Sequence, residues 1–383
     1  MAGSNIAAFM RQAEQRWSVS LPDYEALWRW SVDCPEQFWP LVWDFCGIVA
    51  ETRGERVIAD GDTMPGARFF PDARLSFAQN LMRRRDDTPA LIFKGEDRVK
   101  RMVTWAELYD EVSCMAQAMR AMGIVEGDRV AAYMPNMPET VIAMLAANSI
   151  GAIFSSASPD FGVQGVVDRF GQIEPRLLLL ADGYYYGGKT IFCLDKLPEI
   201  LSRMPSVEKA VVVPYIDATM LPIAQAVHLE MFLAPFKPCK IAFAQIPFNH
   251  PLYIMFSSGT TGVPKCIVHG QGGTLLQQLK EHRLNGDMRA GDRALLFGTG
   301  FGGTAGGFIV ASPVALSELP IVEIDGRAVI VEYAGYVSSG LVQINMLIPA
   351  GFTGAGDFTL RVTWGNPAFT VQQGVRIPVR ENL

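Results

Sequence analysis

The chain has 383 residues, of which 49% are hydrophobic and 19% charged, and its 33 basic and 39 acidic side chains give a net charge of −6. This composition is typical of a globular protein and excludes a disordered chain or a coiled coil, and at roughly 150 residues per domain the length predicts two or three folded units. The negative charge, without any block of Lys or Arg, argues against nucleic acid or an anionic membrane as the main partner.

The N-terminus and the cysteines predict a cytoplasmic protein. No apolar run reaches the roughly 18 residues that a membrane-spanning helix needs, and Arg11, Glu14 and Arg16 stand where a signal peptide has its apolar core. The six cysteines are scattered without any CxxC pair, and we expect them to be reduced and mostly buried. Because the four histidines are equally dispersed, no metal site is predicted.

Helices and strands alternate between residues 104 and 214. Thr104 and Glu107 have the spacing of a capping box, which predicts the start of a helix that ends near Gly123. The next predicted elements are, in order, strand 129–134, helix 138–149, strand 152–155, helix 163–172, and strands 177–181 and 209–214. Several of these strands are apolar throughout, so we predict an α/β fold with a layered, mostly parallel sheet that is covered on both faces.

The composition changes after residue 282. Every lysine, cysteine and histidine lies at or before His282, and the remainder is rich in Gly, Val, Ile and Thr. We therefore predict two domains, residues 1–295 and residues 296–383. The second reads as all-β, since strands 321–324 and 327–333 flank the hairpin signal Asp325-Gly326, and three more strands are predicted at 341–348, 358–364 and 369–379. This spacing predicts a small immunoglobulin-like sandwich.

The segment with the clearest chemical signal runs from Phe256 to Lys265. It lies between two predicted strands, 252–255 and 266–269, and consists mostly of Ser, Thr and Gly. Small residues let the backbone approach an anion, and consecutive N–H groups can form a nest for phosphate oxygens. We predict that a phosphate group is bound by Ser257, Ser258, Gly259, Thr260, Thr261, Gly262 and Lys265. The loop is not a Walker A motif, because only two residues separate its glycines. The alternative is a flexible turn with an incidental lysine.

The 257–265 string resembles the phosphate loop of the AMP-forming adenylating enzymes, and the chain around it is similar to their acetoacetate–CoA ligase subgroup. The resemblance extends over about residues 5–295 and rests on the strings Leu27–Val32, Glu36–Trp39, Trp43–Phe45, Arg68–Leu75, Ser158–Val163, Asp168–Pro175 and Ile267–Gly270. It implies that the first domain is the N-terminal, AMP-binding domain of such an enzyme, truncated near residue 295.

The resemblance also implies a reaction and its cofactors. A carboxylic acid, acetoacetate, attacks the α-phosphate of ATP in the presence of Mg²⁺, and coenzyme A then displaces AMP from the acyl-adenylate. Lys265 and Thr260 would be the catalytic residues, with Lys265 as an electrostatic clamp on the phosphates. Gly187, Gly188 and Lys189 occupy the place at which related enzymes contact coenzyme A; an ordinary surface turn with a solvated lysine is an equal alternative.

The chain departs from this family after residue 295. The family's Tyr-Gly-x-Thr-Glu and Thr-Gly-Asp strings, which bind magnesium and ribose, are not found, and neither is the lysine of its C-terminal lid. Residues 296–383 instead resemble a bacterial immunoglobulin-like repeat domain. The sequence thus leaves three hypotheses open: an ATP-dependent acid–CoA ligase impaired by truncation, an inactive fusion or rearranged fragment that keeps a phosphate loop, and an interaction protein that acts through its β-sandwich. An incomplete sheet also predicts an open edge, and with it self-association.

Overall fold

The computed structural model describes residues 3–95, 99–186, 188–219, 222–257 and 262–288, together with six strands between residues 314 and 379. The chain divides into two compact units, Met1–Asp287 and Met288–Leu383, and each is described by itself. The predicted domain boundary between residues 295 and 296 lies outside the described residues and stays a prediction.

The first unit is built from helices and strands. Its helices are α1 (Asn5–Trp17), α2 (Tyr24–Asp33), α3 (Pro35–Cys46), α4 (Phe77–Leu81), α5 (Trp105–Ala121), α6 (Pro138–Ile150), α7 (Val163–Phe170), α8 (Leu197–Arg203), α9 (Leu229–Leu233) and α10 (Gln271–Lys280), with a 3₁₀ turn at Leu194–Lys196 and a π-helical turn at Glu281–Asn285. Its strands are β1 (Ala50–Thr52), β2 (Ile58–Ala59), β3 (Arg68–Phe69), β4 (Arg74–Leu75), β5 (Pro89–Gly95), β6 (Val99–Thr104), β7 (Arg129–Tyr133), β8 (Ile153–Ala157), β9 (Leu177–Ala181), β10 (Gly183–Tyr186), β11 (Lys189–Phe192), β12 (Lys209–Val213), β13 (Ala226–His228), β14 (Ile246–Pro247), β15 (Pro251–Phe256) and β16 (Cys266–Gly270).

A seven-stranded sheet forms the centre of this unit, in the order β13-β12-β9-β7-β8-β15-β16. All neighbouring strands from β13 to β15 in this order are parallel to each other. The edge strand β16 is antiparallel to β15. The predicted α/β fold with a mostly parallel sheet is therefore confirmed. The predicted helices and strands between residues 104 and 270 are all present, with ends within about two residues of those expected.

The capping box at the start of α5 is also confirmed. The Thr104 hydroxyl accepts a hydrogen bond from the Glu107 backbone N–H at 3.2 Å, and the Glu107 carboxylate accepts one from the Thr104 N–H at 2.8 Å. This reciprocal pair satisfies two N–H groups that the helix itself cannot use. These bonds also hold the pKa of Glu107 below its usual value, first through the Thr104 backbone N–H. The sequence therefore fixes where α5 begins.

Burial on both faces explains the unbroken apolar sequence of β9. Leu177 and Leu179 face the core beneath α5 and α6, whereas Leu178 and Leu180 face the core beneath α7 and α8, and all four are fully buried. Strand β12 alternates in the same way. Both layers of helices are thus anchored on the same central strands, as expected of a doubly covered parallel sheet.

A third core joins the N-terminal helices to the rest of the unit. Helices α1 to α3 contribute the aromatic side chains Phe9, Trp30, Phe38 and Trp43, which pack in edge-on or tilted pairs. The buried amide of Gln271, at the start of α10, donates to the carbonyl groups of Leu75, Ile246 and Pro247 and accepts from the Phe77 N–H. This single side chain therefore ties α10 to the small sheet β1-β4-β14.

The second unit contains β-strands that pair antiparallel. They are β17 (Val314–Ala315), β18 (Ile321–Ile324), β19 (Arg327–Ser338), β20 (Leu341–Leu347), β21 (Gly356–Trp364) and β22 (Phe369–Val379). Ile324 pairs with Arg327, so the predicted hairpin between β18 and β19 is present, although Asp325 and Gly326 themselves lie outside the described residues. The immunoglobulin-like topology stays a prediction.

The expectation that the cysteines are mostly buried is wrong. All six are free thiols, but only Cys46 and Cys193 are buried; Cys34 and Cys114 are half-buried, and Cys239 and Cys266 are exposed. Cys266 is exposed because it begins the edge strand β16, which the sequence alone did not place at an edge. Among the described helices, none is both long and apolar enough to cross a membrane.

The buried carboxylate of Asp182 generates the first prediction. It follows β9 directly and accepts hydrogen bonds from three backbone N–H groups, those of Tyr215 at 2.8 Å, Ile216 at 3.0 Å and Ala218 at 2.8 Å. Asp182→Ala leaves three donors without their acceptor, and we expect the free energy of unfolding to fall by about 2–4 kcal/mol in urea denaturation. The control Asp195→Ala, at an exposed site, should change it by less than about 0.5 kcal/mol; equal losses in both variants would contradict the assignment.

Candidate functional site

The 257–265 loop lies at the edge of the sheet where ligands bind in open α/β folds. Strand β15 is parallel to β8, so its last residue, Phe256, lies at the same edge as the carboxyl ends of β7, β8 and β9. Ligands of such sheets bind in the crevice outside the carboxyl ends of the strands. The described part of the loop comprises Ser257 and residues 262–265, while the predicted site residues Ser258, Gly259, Thr260 and Thr261 lie outside the described residues.

Two hydrogen bonds between Ser257 and Lys265 close the base of the loop. The Ser257 N–H donates to the Lys265 carbonyl at 3.0 Å, and the Lys265 N–H donates to the Ser257 hydroxyl oxygen, also at 3.0 Å. Because Ser257 uses its oxygen as an acceptor, its hydroxyl proton remains able to donate to a ligand. The two ends of the loop are thus held together, and the exposed Lys265 side chain stands at its base.

A hydrogen bond from Gln172 also holds the loop, and Gly262 in the loop has a positive φ angle. The Gln172 side-chain amide, just after α7, donates to the carbonyl of the buried Pro264 at 2.8 Å. Gly262 has a φ angle of +140°, which side chains other than glycine rarely adopt. A glycine at this position therefore has a backbone reason. The sequence reasoning assigned no role to Gln172.

A buried tyrosine lies beside the point at which the strand order reverses. The chain passes from β7 to its neighbour β8 and then to β9 on the other side of β7, so the strand order reverses between β7 and β9. Tyr133, the last residue of β7, is fully buried, and its hydroxyl contacts the carbonyl oxygens of Pro159 at 2.7 Å and Phe161 at 2.5 Å. Tyr133 therefore fixes the segment that follows β8 at this crevice.

Lys196 approaches the same hydroxyl from the 3₁₀ turn before α8. Its ammonium group donates to the Tyr133 oxygen at 3.1 Å and lies 5.7 Å from the centre of the ring. Burial raises the pKa of Tyr133 above its usual value, so the phenol is neutral and can donate to the carbonyls. Burial likewise raises the pKa of Cys193 to about 11, against the lowering effect of Lys196. The sequence reasoning missed this cluster; its only signal was a tyrosine at the end of an apolar strand.

The predicted coenzyme A residues lie in a hairpin that starts at the same edge. Strands β10 and β11 pair so that Tyr186 lies opposite Lys189. Gly188 has a φ of +75°, Lys189 is exposed, and Gly187 lies outside the described residues. The hairpin follows β9, which is three strand spacings from β15, or about 14 Å. The two predicted site segments thus share one edge of the sheet, but a surface turn remains an adequate description of this one.

Most of the first unit matches known protein families. Residues 77–310 match the family described as "AMP-binding enzyme", and residues 24–81 match "Acetyl-coenzyme A synthetase N-terminus". The first match covers the sheet, the 257–265 loop and the hairpin of β10 and β11. The second covers helices α2, α3 and α4.

Several relatives are named acetoacetyl-CoA synthetase. The chain is 50% identical over 299 residues to the acetoacetyl-coenzyme A synthetase of Rhizobium meliloti, which covers 77% of this chain and 46% of the relative. It is 43% identical over 295 residues to the acetoacetyl-CoA synthetase of Macaca fascicularis, covering 73% and 43%. Among solved structures, the acetoacetyl-CoA synthetase from Streptomyces lividans matches with a TM-score of 0.71 and 38% identity, over 76% of this chain and 45% of that one. The chain thus spans about half the length of the relatives it matches.

The bonds at the base of the loop generate the second prediction. Ser257→Ala removes the acceptor of the Lys265 N–H, and we expect hydrogen exchange of the Lys265 amide to become about fivefold faster, since one hydrogen bond contributes about 1 kcal/mol. Exchange is measured by NMR, with the buried Val211 amide of β12 as the internal reference. Ser257→Thr keeps the hydroxyl and should leave the rate near that of the wild type. If the Lys265 amide exchanges equally fast in the wild type and in Ser257→Ala, the Ser257 hydroxyl does not hold the base of the loop.

Proposed function

Because the chain belongs to the AMP-binding enzyme family, we propose that it binds Mg·ATP at the 257–265 loop and takes part in the AMP-forming activation of acetoacetate for transfer to coenzyme A. The observation that carries this proposal is the closed loop at the carboxyl edge of the sheet, with Ser257 and Lys265 bonded at its base. The names of the relatives support acetoacetate as the acid. ATP and coenzyme A are both supplied in the cytoplasm, where we place the reaction.

The proposed reaction has two steps. In the first, a carboxylate oxygen of acetoacetate attacks the α-phosphorus of ATP, and the bond to the pyrophosphate leaving group breaks, which gives acetoacetyl-adenylate. In the second, the thiolate sulfur of coenzyme A attacks the acyl carbon, and AMP leaves with the electron pair of the carbon–oxygen bond. Both steps move negative charge on phosphate oxygens, so fixed N–H groups and a positive side chain accelerate them mainly by electrostatic stabilisation.

We assign the ATP phosphates to the residues of the loop. Lys265 supplies a mobile positive charge, and the hydroxyls of Ser257, Ser258, Thr260 and Thr261 supply donors, while Gly259 and Gly262 let the backbone approach the phosphates. Thr260 and Lys265 are the residues we propose to act on the reacting phosphate. Within the described ranges, no group of three or more His, Cys, Asp or Glu side chains is arranged to hold a metal ion. We propose that magnesium arrives with the substrate, as the counter-ion of ATP.

For coenzyme A we propose the hairpin turn of Gly187, Gly188 and Lys189. The turn belongs to the same edge of the sheet as the phosphate loop, and the strands from which the two segments start lie about 14 Å apart. A long, flexible arm carries the thiol of coenzyme A, so its nucleotide end can be bound at one segment while the thiol reacts at the other. Lys189 would contact a phosphate of the nucleotide end.

For the second unit we propose an immunoglobulin-like sandwich. The support is the antiparallel pairing of its strands, with β18 and β19 forming a hairpin and β21 and β22 pairing over most of their length. In this proposal the second unit takes no part in the ligase chemistry, because all the residues assigned to ATP and coenzyme A belong to the first unit.

The third prediction concerns Lys265. Lys265→Ala removes a charge-assisted bond to the phosphates, and we expect the affinity for Mg·ATP to fall about 10- to 100-fold in titration calorimetry. The matched control is Lys209→Ala, because Lys209 begins β12 and so lies at the opposite edge of the sheet. The activation step is measured by acetoacetate-dependent exchange of pyrophosphate into ATP, which should fall in the same variant. Equal Mg·ATP affinities of the two variants would exclude Lys265 from the site, and a wild-type chain that binds no Mg·ATP would overturn the proposed function.

The fourth prediction separates the coenzyme A turn from the ATP loop. Lys189→Ala is expected to weaken coenzyme A binding about tenfold, because one phosphate contact is lost, while the affinity for Mg·ATP stays unchanged. Both affinities are measured on the same preparations, and Lys189→Arg should restore most of the coenzyme A binding because it keeps the charge. Unchanged coenzyme A affinity in Lys189→Ala would leave the segment as a surface turn.

A further inference from the structure

A cavity of about 190 Å³ lies between the C-terminal half of α5 and the segment that precedes β14, and we call it the α5 cavity. Two of the residues that line it, Ala116 and Ile241, are apolar and buried. Three others, Arg120, Cys239 and Lys240, are exposed. The α5 cavity therefore combines an apolar surface with two positively charged side chains and a thiol.

The α5 cavity lies at the opposite edge of the central sheet from the phosphate loop. Arg120 is next to the last residue of α5, which leads into β7, and its guanidinium contacts the carbonyl oxygen of Ser149 at 3.5 Å, near the end of α6, which leads into β8. Both contacts place the cavity where these strands begin, whereas the 257–265 loop follows the end of β15. A five-residue strand such as β7 separates the two edges by roughly 15 Å. The cavity is thus not part of the candidate ATP site.

The walls of the α5 cavity are held together by hydrogen bonds. Four polar side chains, spaced three or four residues apart on one face of α5, bind the backbone of the segment before β14. These contacts join the Tyr109 hydroxyl to the Ile241 N–H at 3.0 Å, the Ser113 hydroxyl to the Cys239 N–H at 2.9 Å, the Gln117 amide to the Lys237 carbonyl at 2.8 Å and the Arg120 guanidinium to the Ala242 carbonyl at 2.6 Å. The cavity is therefore preformed, and a ligand would bind without first ordering its walls.

The positive charge of the α5 cavity is not neutralised by a carboxylate within the described ranges. Arg120 donates only to two backbone carbonyls, both through Nη2, so its Nε and Nη1 groups have no acceptor among the described residues. Burial lowers the pKa of Arg120, whereas hydrogen bonds to Glu208 and Asp128 raise the pKa of Arg176. Lys240 likewise forms no ion pair in the part of the chain that the structure describes. Two cations are thus available to an anionic ligand.

We propose that the α5 cavity binds a short-chain carboxylate, with its charged end on Arg120 and Lys240 and its hydrocarbon against Ala116 and Ile241. A guanidinium with unused N–H groups suits a carboxylate. A cavity of about 150 Å³ can hold benzene, so the volume here suits a ligand of about six to eight non-hydrogen atoms. Inorganic phosphate would leave the apolar lining uncovered. The proposal concerns a site that the proposed function does not use.

The test measures whether butyrate protects Cys239 in the full chain from alkylation by iodoacetamide. Cys239 is exposed and lines the cavity, whereas Cys266 is exposed on β16 and serves as the internal reference. At a butyrate concentration of about four times its Kd, alkylation of Cys239 should slow about fivefold, because only the empty cavity reacts, and that of Cys266 should not change. Peptide mass spectrometry separates the two sites, and the ionic strength is kept constant because salt screens exposed charges.

The double variant Arg120→Gln/Lys240→Gln should weaken butyrate binding about tenfold or more, because it removes both charged donors. The matched control Arg29→Gln/Lys100→Gln removes two charges from exposed residues of α2 and β6 and should keep the wild-type affinity. Because Arg120 also holds the wall of the cavity, Lys240→Gln is measured alone as well. Its side chain is exposed and has no hydrogen bond among the described residues, so the thermal melt should not change while the affinity falls about threefold.

The neutral isostere butyramide should leave Cys239 unprotected, since recognition depends on the carboxylate. The proposal is overturned if butyrate does not slow alkylation of Cys239, or if Lys240→Gln and the double variant both bind butyrate as tightly as the control variant. Equal protection by butyramide would show that the charge is not recognised, and equal protection by inorganic phosphate would show that the apolar lining is not. Either result also rejects a carboxylate site. Protection is measured without ATP, so the outcome does not depend on the proposed function.

Discussion

Burial of the central sheet on both faces is the constraint from which the rest of the first unit follows. The four leucines of β9 alternate between two cores, one beneath α5 and α6 and the other beneath α7 and α8, so neither layer of helices can be removed without exposing the same strand. Burial of each leucine contributes roughly 2 kcal/mol to the free energy of unfolding. A charged or polar side chain, which suits a half-exposed strand, cannot replace it. The connections between strands must therefore run through helices, which makes the strands parallel.

Parallel strands in turn determine where chemistry can occur. All the carboxyl ends from β12 to β15 meet at one edge, and the strand order reverses between β7 and β9. Tyr133 fills this reversal with a neutral hydroxyl that bonds the segment after β8, and Lys196 adds a positive charge beside it. Three spacings from β9, Ser257 and Lys265 close the base of the loop that we propose binds ATP. The position of the candidate site thus depends on the strand order as well as on the loop sequence.

Local sequence signals predicted most of the elements but few of the contacts between them. The capping box at Thr104, the unbroken apolar run of β9 and the strands on each side of the phosphate loop each depend on neighbouring residues, and the sequence contains that information directly. The bond from Gln172 to Pro264 spans 92 positions, and Tyr133 meets Phe161 only because β7 and β8 are paired. The same limit explains the wrong prediction for Cys266, whose exposure depends on β16 being an edge strand.

Burial on both faces, which holds for β9 in the centre of the sheet, does not hold for the edge strand β16. An α/β sheet can end at a short strand that is half covered, as β13 does with three partly buried residues next to α9. Strand β16 is longer, and its consecutive residues Ile267 and Val268 are both exposed and lie on opposite faces of the sheet. Lys265 and Pro264, which could protect such an edge, precede the strand and lie at the end of the phosphate loop instead. Strand β16 follows directly from the loop proposed to bind ATP, so the exposed edge of the sheet and the candidate site are neighbours.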